Sequence, residues 1–195
     1  MKEHFADTYV KQAHKAGYRS RAVYKLQELH ERSHLFKPGM TIIDLGAAPG
    51  GWSQLLVKLV GKKGKVIALD ILPMAPIPDV EFIQGDFSEE ETHQQLLAYL
   101  GDTSVDWVVS DIAPNFSGID SVDQSRSMLL AEMALDFTLG VTTEKGGFLI
   151  KLFQGEGFDA FLKLIRDYFK KVLIRKPKAS RGRSREVYIV AIGRK

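Results

Sequence analysis

A doubly wound α/β fold with a mostly parallel sheet is predicted by three features of the 195-residue sequence. Short β-rich apolar runs alternate with amphipathic stretches of helical length, the pattern of strands joined by crossover helices. The last two apolar runs are separated by residues 177–184 with no helical pattern between them, which suits an antiparallel hairpin at the sheet edge and makes the sheet mixed. Hydrophobic residues form 45% and charged residues 26% of the chain, enough for one sizeable core and unlike a disordered segment. No internal repeat, low-complexity tract or linker interrupts the pattern, so residues 1–195 are expected to form one domain.

Taken in order, residues 1–38 are a basic segment in which Ser20–His34 reads as a helix packed on the core, with Ser20 as N-cap. Lys37-Pro38-Gly39 turns into the first strand, Thr41–Leu45. The alternation then predicts helix Trp52–Val60, strands Lys65–Asp70 and Val80–Gln84, helix Glu89–Leu100 and strand Val105–Ser110. Helix Asp123–Thr143, strand Gly147–Leu152, helix Gly157–Lys170 and strands Val172–Lys176 and Glu186–Ile192 complete the order.

Several classes are excluded or disfavoured. No apolar run approaches the roughly 20 residues of a membrane span, and no signal peptide opens the chain. The absence of cysteine removes disulfides, thiolate nucleophiles and Cys-ligated metal, and fits a reducing cytoplasm. No metal site is expected.

The net charge of +3 hides segregation. Residues 1–38 carry 8 basic and 4 acidic side chains, residues 39–162 carry 7 and 18, and residues 163–195 carry 12 and 2. If the two basic ends converge they make a surface for a polyphosphate; the alternative is solubilising tails. Tyr18 and Tyr24 among Arg19, Arg21 and Lys25 tilt this toward RNA, where stacking and phosphate contact act together.

Asp44-Leu45-Gly46-Ala47-Ala48-Pro49-Gly50-Gly51-Trp52 ends the first strand and opens the next helix, the place where doubly wound sheets bind ligands. Its glycine spacing is not that of a dinucleotide fingerprint, Pro49 removes an amide donor, and no P-loop Lys follows. A ligand without phosphates fits better than NAD or ATP. Asp70, ending the second strand, can accept from ribose hydroxyls, and Asp86 in Gln84-Gly85-Asp86-Phe87 can accept from an adenine amino group. Alone, either Asp reads equally well as a turn residue or helix cap. With the glycine loop they outline a nucleoside pocket for which S-adenosylmethionine is the best occupant, its ammonium and sulfonium facing an acidic middle segment.

Ser110-Asp111-Ile112-Ala113-Pro114-Asn115 follows the fourth strand on the same rim. Lys151 lies inside an apolar strand, where a lysine needs either a partner or room to snorkel. Glu186 interrupts the basic run Arg181–Arg185 just ahead of the last strand, where it serves as a site residue or as a counter-ion.

With these motifs and Ser20-Arg21-Ala22-Val23-Tyr24-Lys25-Leu26, Lys151–Gly157 and Ser184-Arg185-Glu186-Val187-Tyr188, the chain resembles the FtsJ/RrmJ family of ribose 2′-O-methyltransferases over nearly its whole length. The resemblance implies a Rossmann-like, seven-stranded S-adenosylmethionine-dependent methyltransferase sheet. It implies a Lys-Asp-Lys-Glu tetrad falling on Lys25, Asp111, Lys151 and Glu186, and cofactor contacts at Gly50, Trp52, Asp70, Asp86 and Asp111, to which the loop adds Gly46. Bacterial members modify a uridine of 23S rRNA in the large ribosomal subunit, so RNA is the implied partner and a cytoplasmic monomer the expected state. Bacterial members begin with a further basic, Ser-rich extension; this chain starts near its end, and part of their RNA affinity is expected to be missing.

Lys11, Lys15, Arg19, Arg21, Lys178, Arg181, Arg183 and Arg185 are the candidate phosphate contacts. For Lys151, burial and the Lys25 charge favour losing a proton while Asp111 and Glu186 oppose it, so a general base and an orienting cation both stay open. The rival readings are 2′-O-methylation of tRNA, an amino-methylating enzyme, or a non-catalytic RNA-binding assembly factor. The loop after Asp111 lacks the second proline and aromatic of the amino-methylating pattern, and neither that enzyme nor a pure binder needs Lys151.

Overall fold

The computed structural model describes residues 2–114, 117–180 and 184–195, with side chains from Thr8 onward. Among them are strands β1 (Thr41–Leu45), β2 (Lys65–Asp70), β3 (Val80–Gln84), β4 (Val105–Ser110), β5 (Thr142–Phe153), β6 (Phe169–Arg175) and β7 (Glu186–Arg194). They form a single sheet in the order β3-β2-β1-β4-β5-β7-β6. The neighbours from β3 across to β5 pair in parallel, and β7 lies between β5 and β6, antiparallel to both. The expected hairpin is therefore at the edge, but its second strand is the inner one. The helices are α1 (Lys2–Lys15), α2 (Val23–Ser33), α3 (Gly51–Val60), α4 (Glu90–Leu100), α5 (Asp120–Val141) and α6 (Phe158–Tyr168).

Successive side chains of a strand point to opposite faces, and this divides the core in two. Ile42, Val66, Trp107, Val109, Leu149, Tyr188 and Val190 pack beneath α2 and α3. Ile43, Leu45, Ile67, Leu69, Phe148, Ile150, Leu152 and Ile189 pack beneath α4, α5 and α6. The same alternation decides where the polar residues go. Lys151 is two residues beyond Leu149, and Glu186 two before Tyr188, so both share the face covered by α2. The order of crossovers reverses between β1 and β4, and a crevice at the carboxyl ends of these strands is where this architecture takes ligands.

Several elements differ from the sequence expectation. Helix α1 has no counterpart in it; Ala13 is buried, and Tyr9 packs on Tyr24 of α2 with ring centroids 5.6 Å apart. Ser20 does not cap α2 directly: its Oγ accepts from the Ala22 N–H at 3.3 Å within a turn that precedes the helix, which starts at Val23. Strand β5 begins at Thr142 rather than Gly147, across a register irregularity against β4. Strand β6 begins at Phe169, so α6 stops at Tyr168. No helix of the described residues is long and apolar enough to cross a membrane.

Candidate active site

Strand register brings the first pair together. Ser110 of β4 lies beside Ile150 of β5, so Asp111, one step past β4, meets Lys151. The Lys151 Nζ lies 3.1 Å from Asp111 Oδ1 and donates to its main-chain oxygen at 2.5 Å. Strand β7 places Tyr188 opposite Lys151 and Glu186 opposite Phe153. Helix α2 supplies the last member across the sheet face: Lys25 Nζ sits 2.6 Å from Glu186 Oε1, with the two side chains only 10% and 12% exposed. Lys25, Asp111, Lys151 and Glu186, separated widely in the chain, thus occupy one cluster.

Tyr188 links the two pairs. Its hydroxyl donates to Asp111 Oδ1 at 2.9 Å, and the Lys25 ammonium stands 5.7 Å from its ring centre. Burial first, then the charges of Asp111 and Glu186, raise the phenol well above its ordinary range, so it remains a hydroxyl donor. The sequence reading did not single Tyr188 out, although a residue two beyond Glu186 in a strand must share its face. For Glu186, burial pushes the carboxyl up, but the hydrogen bond and charge of Lys25, the Ser180 hydroxyl and the Lys151 charge outweigh it and hold the carboxyl low. Ser180 Oγ donates to Glu186 Oε1 at 3.0 Å.

Beside this cluster lies the glycine loop. Gly46 and Gly50 have φ of 76° and 106°, a region that disfavours any other residue. What closes on them is the chain itself: a Cβ at Gly46 would meet Ile112 at 2.6 Å, and one at Gly50 would meet Ile77 at 2.6 Å. Asp70 braces the loop, its Oδ2 accepting from the Ala48 N–H and its Oδ1 from the Leu72 N–H, both at 2.8 Å. Asp86 Oδ1 accepts from the N–H and hydroxyl of Ser88, at 2.8 and 2.7 Å, in the turn ahead of α4. Both Asp70 oxygens and the Asp86 Oδ2 retain a lone pair for a ligand hydroxyl or amino group. The Trp52 side chain is turned into the protein. Its ring is 3% exposed, packs 5.9 Å from Tyr188, and its Nε1 donates to the Ala22 carbonyl at 2.9 Å. What Trp52 offers a ligand is its backbone N–H in the first turn of α3, where amides lack an intrahelical acceptor.

Asp44 is the group sequence reasoning left without a role. It is fully buried; Ser53 Oγ donates to its Oδ2 at 2.6 Å, and Oδ1 has no hydrogen-bond partner among the described residues. Burial, with the charges of Asp111 and Asp70 added, pushes this carboxyl to about 7 against the Ser53 hydrogen bond. Three carboxylates at the ends of β1, β2 and β4 repel one another, and a ligand bearing a cationic centre relieves that repulsion. The donor set therefore fits a ligand with the ammonium and sulfonium of S-adenosylmethionine, and Gly46, Gly50, Asp70, Asp86 and Asp111 are the residues that could hold it. A carboxyl raised above its ordinary 3.8 contributes its full stability below about pH 4 and loses it as the pH rises through about 7. In Asp44→Asn, the fall in Tm between pH 5 and 8 should accordingly be shallower than in the unaltered chain. Parallel Tm curves would show that Asp44 does not titrate there.

The basic residues fare differently. Lys11 and Lys15 are exposed on α1, Arg21 is half-buried ahead of α2, and Lys178 is exposed between β6 and β7. Arg185 is exposed and lies 3.4 Å from Asp120. Arg19 is not placed as a phosphate contact: its guanidinium donates to the carbonyls of Ala75, Pro76 and Pro49 at 2.5, 2.8 and 3.3 Å, fastening the glycine loop to the segment after β2. Arg181 and Arg183, like Asn115, lie outside the described residues.

Comparison with known proteins agrees with this architecture. The family model for FtsJ-like methyltransferases matches residues 18–194. A solved structure from Plasmodium falciparum, described as a ribosomal RNA methyltransferase, superposes with a TM-score of 0.82 at 30% identity, over 91% of this chain and 98% of that one. One from Clostridium thermocellum, described as an rRNA methylase, gives 0.61 at 18% identity over 87% and 97%, respectively. One from Lactococcus lactis, described as a hemolysin, gives 0.63 at 18% identity over 90% and 88%. The last two share the fold alone. With a glycine loop and acidic rim at the switch point of a seven-stranded sheet, and a family match spanning nearly the whole sequence, this chain belongs to the FtsJ-like methyltransferase family.

Proposed function

We propose that the chain methylates a ribose 2′-oxygen of RNA, with a uridine of 23S rRNA in the large ribosomal subunit as the substrate. The observation that carries this reading is the pairing of Lys151 with Asp111 and of Lys25 with Glu186 around one tyrosine hydroxyl, at the strand ends beside the glycine loop. Methylating a base amino group has no need of this double pair. An alcohol differs: its proton must leave as the oxygen gains a bond to carbon. The kinship to a protein described as a ribosomal RNA methyltransferase supports RNA as the substrate class.

S-adenosylmethionine supplies a methyl group already activated as a sulfonium, so alignment of the acceptor supplies much of the rate. The chain's residues do the rest. Lys151, fixed by the carboxylate and carbonyl of Asp111, faces the 2′-hydroxyl and removes its proton as the oxygen attacks the methyl carbon; S-adenosylhomocysteine and a proton are released with the 2′-O-methyl product. Lys25 and Glu186 hold the ribose between them. The Tyr188 hydroxyl fixes the Asp111 carboxylate, and through it the direction of Lys151.

Transfer of a radiolabelled methyl group to ribosomal RNA, followed by nuclease digestion, tests the reading. The expected product is a 2′-O-methylnucleoside; a methylated base, or no transfer, overturns it. The phosphate contacts have their own test. Neutralising Lys11, Lys15, Lys178 and Arg185 together should weaken RNA binding and flatten its salt dependence, each lost contact lowering the slope of log K against log salt by about 0.7 on single strands. An unchanged slope would make these residues solubilising only.

A further inference from the structure

Beside the catalytic cluster lies a cleft of about 370 Å³ that the proposed reaction does not use. Its walls are α1, α2 and the connection between β6 and β7, contributing Tyr9, Tyr24, Gln27, Glu28, Arg32 and Lys178 among others. The α2 residues follow helical spacing: Tyr24, Gln27 and Glu28 form one stripe, while Val23, Leu26 and Leu29 point into the core. The two walls also carry the buried ion pair. Tyr24 precedes Lys25, and Ala179, another lining residue, precedes Ser180, whose hydroxyl holds Glu186. The cleft floor is built rather than loose: the Lys178 N–H donates to Glu28 Oε2 at 2.6 Å, tying the β6–β7 connection to α2.

The lining has the chemistry of a nucleobase site. Tyr9 and Tyr24, both in the lining, lie 5.6 Å apart at 44°, and Tyr18, outside the lining, stands edge-on to Tyr24 at 6.5 Å. Stacking on such rings accepts any base. The Gln27 amide donates and accepts, as a base edge requires, although its Nε2 also donates to Glu31 Oε1 at 2.9 Å. Arg32 Nη2 lies 3.0 Å from Glu28 Oε1 as an ion pair, but no N–H points at that oxygen, which is left buried without a donor. Arg32 is 47% exposed on its side chain, so it can turn toward a phosphate, and the exposed Lys178 stands across from it.

We infer that this cleft is the subsite for a nucleobase flanking the methylated nucleotide, stacked on Tyr9 and Tyr24 with its phosphate at Arg32 and Lys178. The inference rests on the proposed RNA substrate and names how one further nucleotide of it is gripped. Because stacking grips the base and not the backbone, the subsite orders a single-stranded or flipped segment and is closed to a base inside a duplex.

Two fluorescent 12-nucleotide oligoribonucleotides provide the test, one of mixed sequence and one in which every base is replaced by an abasic ribose. Both have the same backbone charge. The unaltered chain should bind the base-bearing strand more tightly by at least about 5-fold, the low end of stacking on an aromatic ring. In Tyr9→Leu/Tyr24→Leu that preference should vanish while affinity for the abasic strand, thermal stability and S-adenosylmethionine affinity stay unchanged. Should the double variant destabilise the chain, Tyr9→Leu alone, on the peripheral helix, is read the same way and should lose at least half of the preference on a logarithmic scale. A preference unchanged by either substitution, or an equal loss for both strands, overturns the subsite. If the unaltered chain binds both strands equally, the subsite alone falls; if it binds neither, RNA as substrate falls with it.

Discussion

Replacing Lys151 with alanine is expected to slow single-turnover methyl transfer by at least about 100-fold, the lower range for loss of a general base, while S-adenosylmethionine affinity stays near its original value. The split follows from the geometry. Lys151 touches only Asp111 among the groups that frame the cofactor loop, through its carboxylate and its carbonyl, and Tyr188 still donates to the same carboxylate when the ammonium is gone. Lys151→Met, which keeps the apolar stem in a strand whose neighbours are buried, separates lost chemistry from lost packing and should be equally slow. Lys151→Arg distinguishes the two roles the sequence left open. A guanidinium keeps its charge at every working pH, so an orienting cation survives this substitution in part and a base does not. Near-normal turnover in both the alanine and methionine variants would remove Lys151 from the reaction.

The second large effect concerns the Lys25–Glu186 pair. Removing one member of a buried pair leaves the other charged and alone, and Lys25→Met should cost about 3 kcal/mol, the lower end for such a loss. Its pH signature is sharper than its size. In the intact chain Glu186 is held low, so its contribution is present above the ordinary 4.5 and is lost as the pH falls through the depressed value. Without Lys25 two of the influences that hold the carboxyl low are gone, so it rises from its depressed value and its pH-dependent contribution moves to higher pH. Urea denaturation between pH 4 and 8 reads that displacement directly. Adding Glu186→Leu should restore most of the stability and, if the pair orients substrate as proposed, none of the methyl transfer. A Lys25→Met variant with the stability and pH profile of the original would show the pair to be solvated.

How much of this could be read from the sequence depended on what shaped each residue. Strands β1, β2, β3 and β4 came out with the bounds their apolar runs suggested; in β1, β2 and β4 burial on both faces leaves a continuous hydrophobic signature, whereas the edge strand β3 is half-buried to exposed. Strand β5 came out short in the sequence reading since Thr142–Gly146 carries no such run. Its entry into the core is set instead by Gly147, where any Cβ would run into the Trp107 ring, a constraint invisible without the neighbouring strand. Helix α1 lies in the segment the sequence reading described only as basic; among its described side chains, Ala13 is buried and Tyr9 packs on Tyr24. The four tetrad positions and the expectation that they meet came from a family resemblance carried by local motifs; the strand order that brings them together is not written in the residues themselves. Arg19 and Trp52 share a feature that their motifs alone do not reveal: both side chains donate to carbonyls of the protein.

Lys25 and Glu186 are 161 positions apart, and the strand that carries Glu186 and Tyr188 is wedged between two that precede it. During translation, Asp111 and Lys151 can settle together while β7 has still to be made. A nascent chain at that stage owns half a reaction centre and an open slot between β5 and β6. On the proposed function, competence therefore depends on β7 reaching its place between β5 and β6.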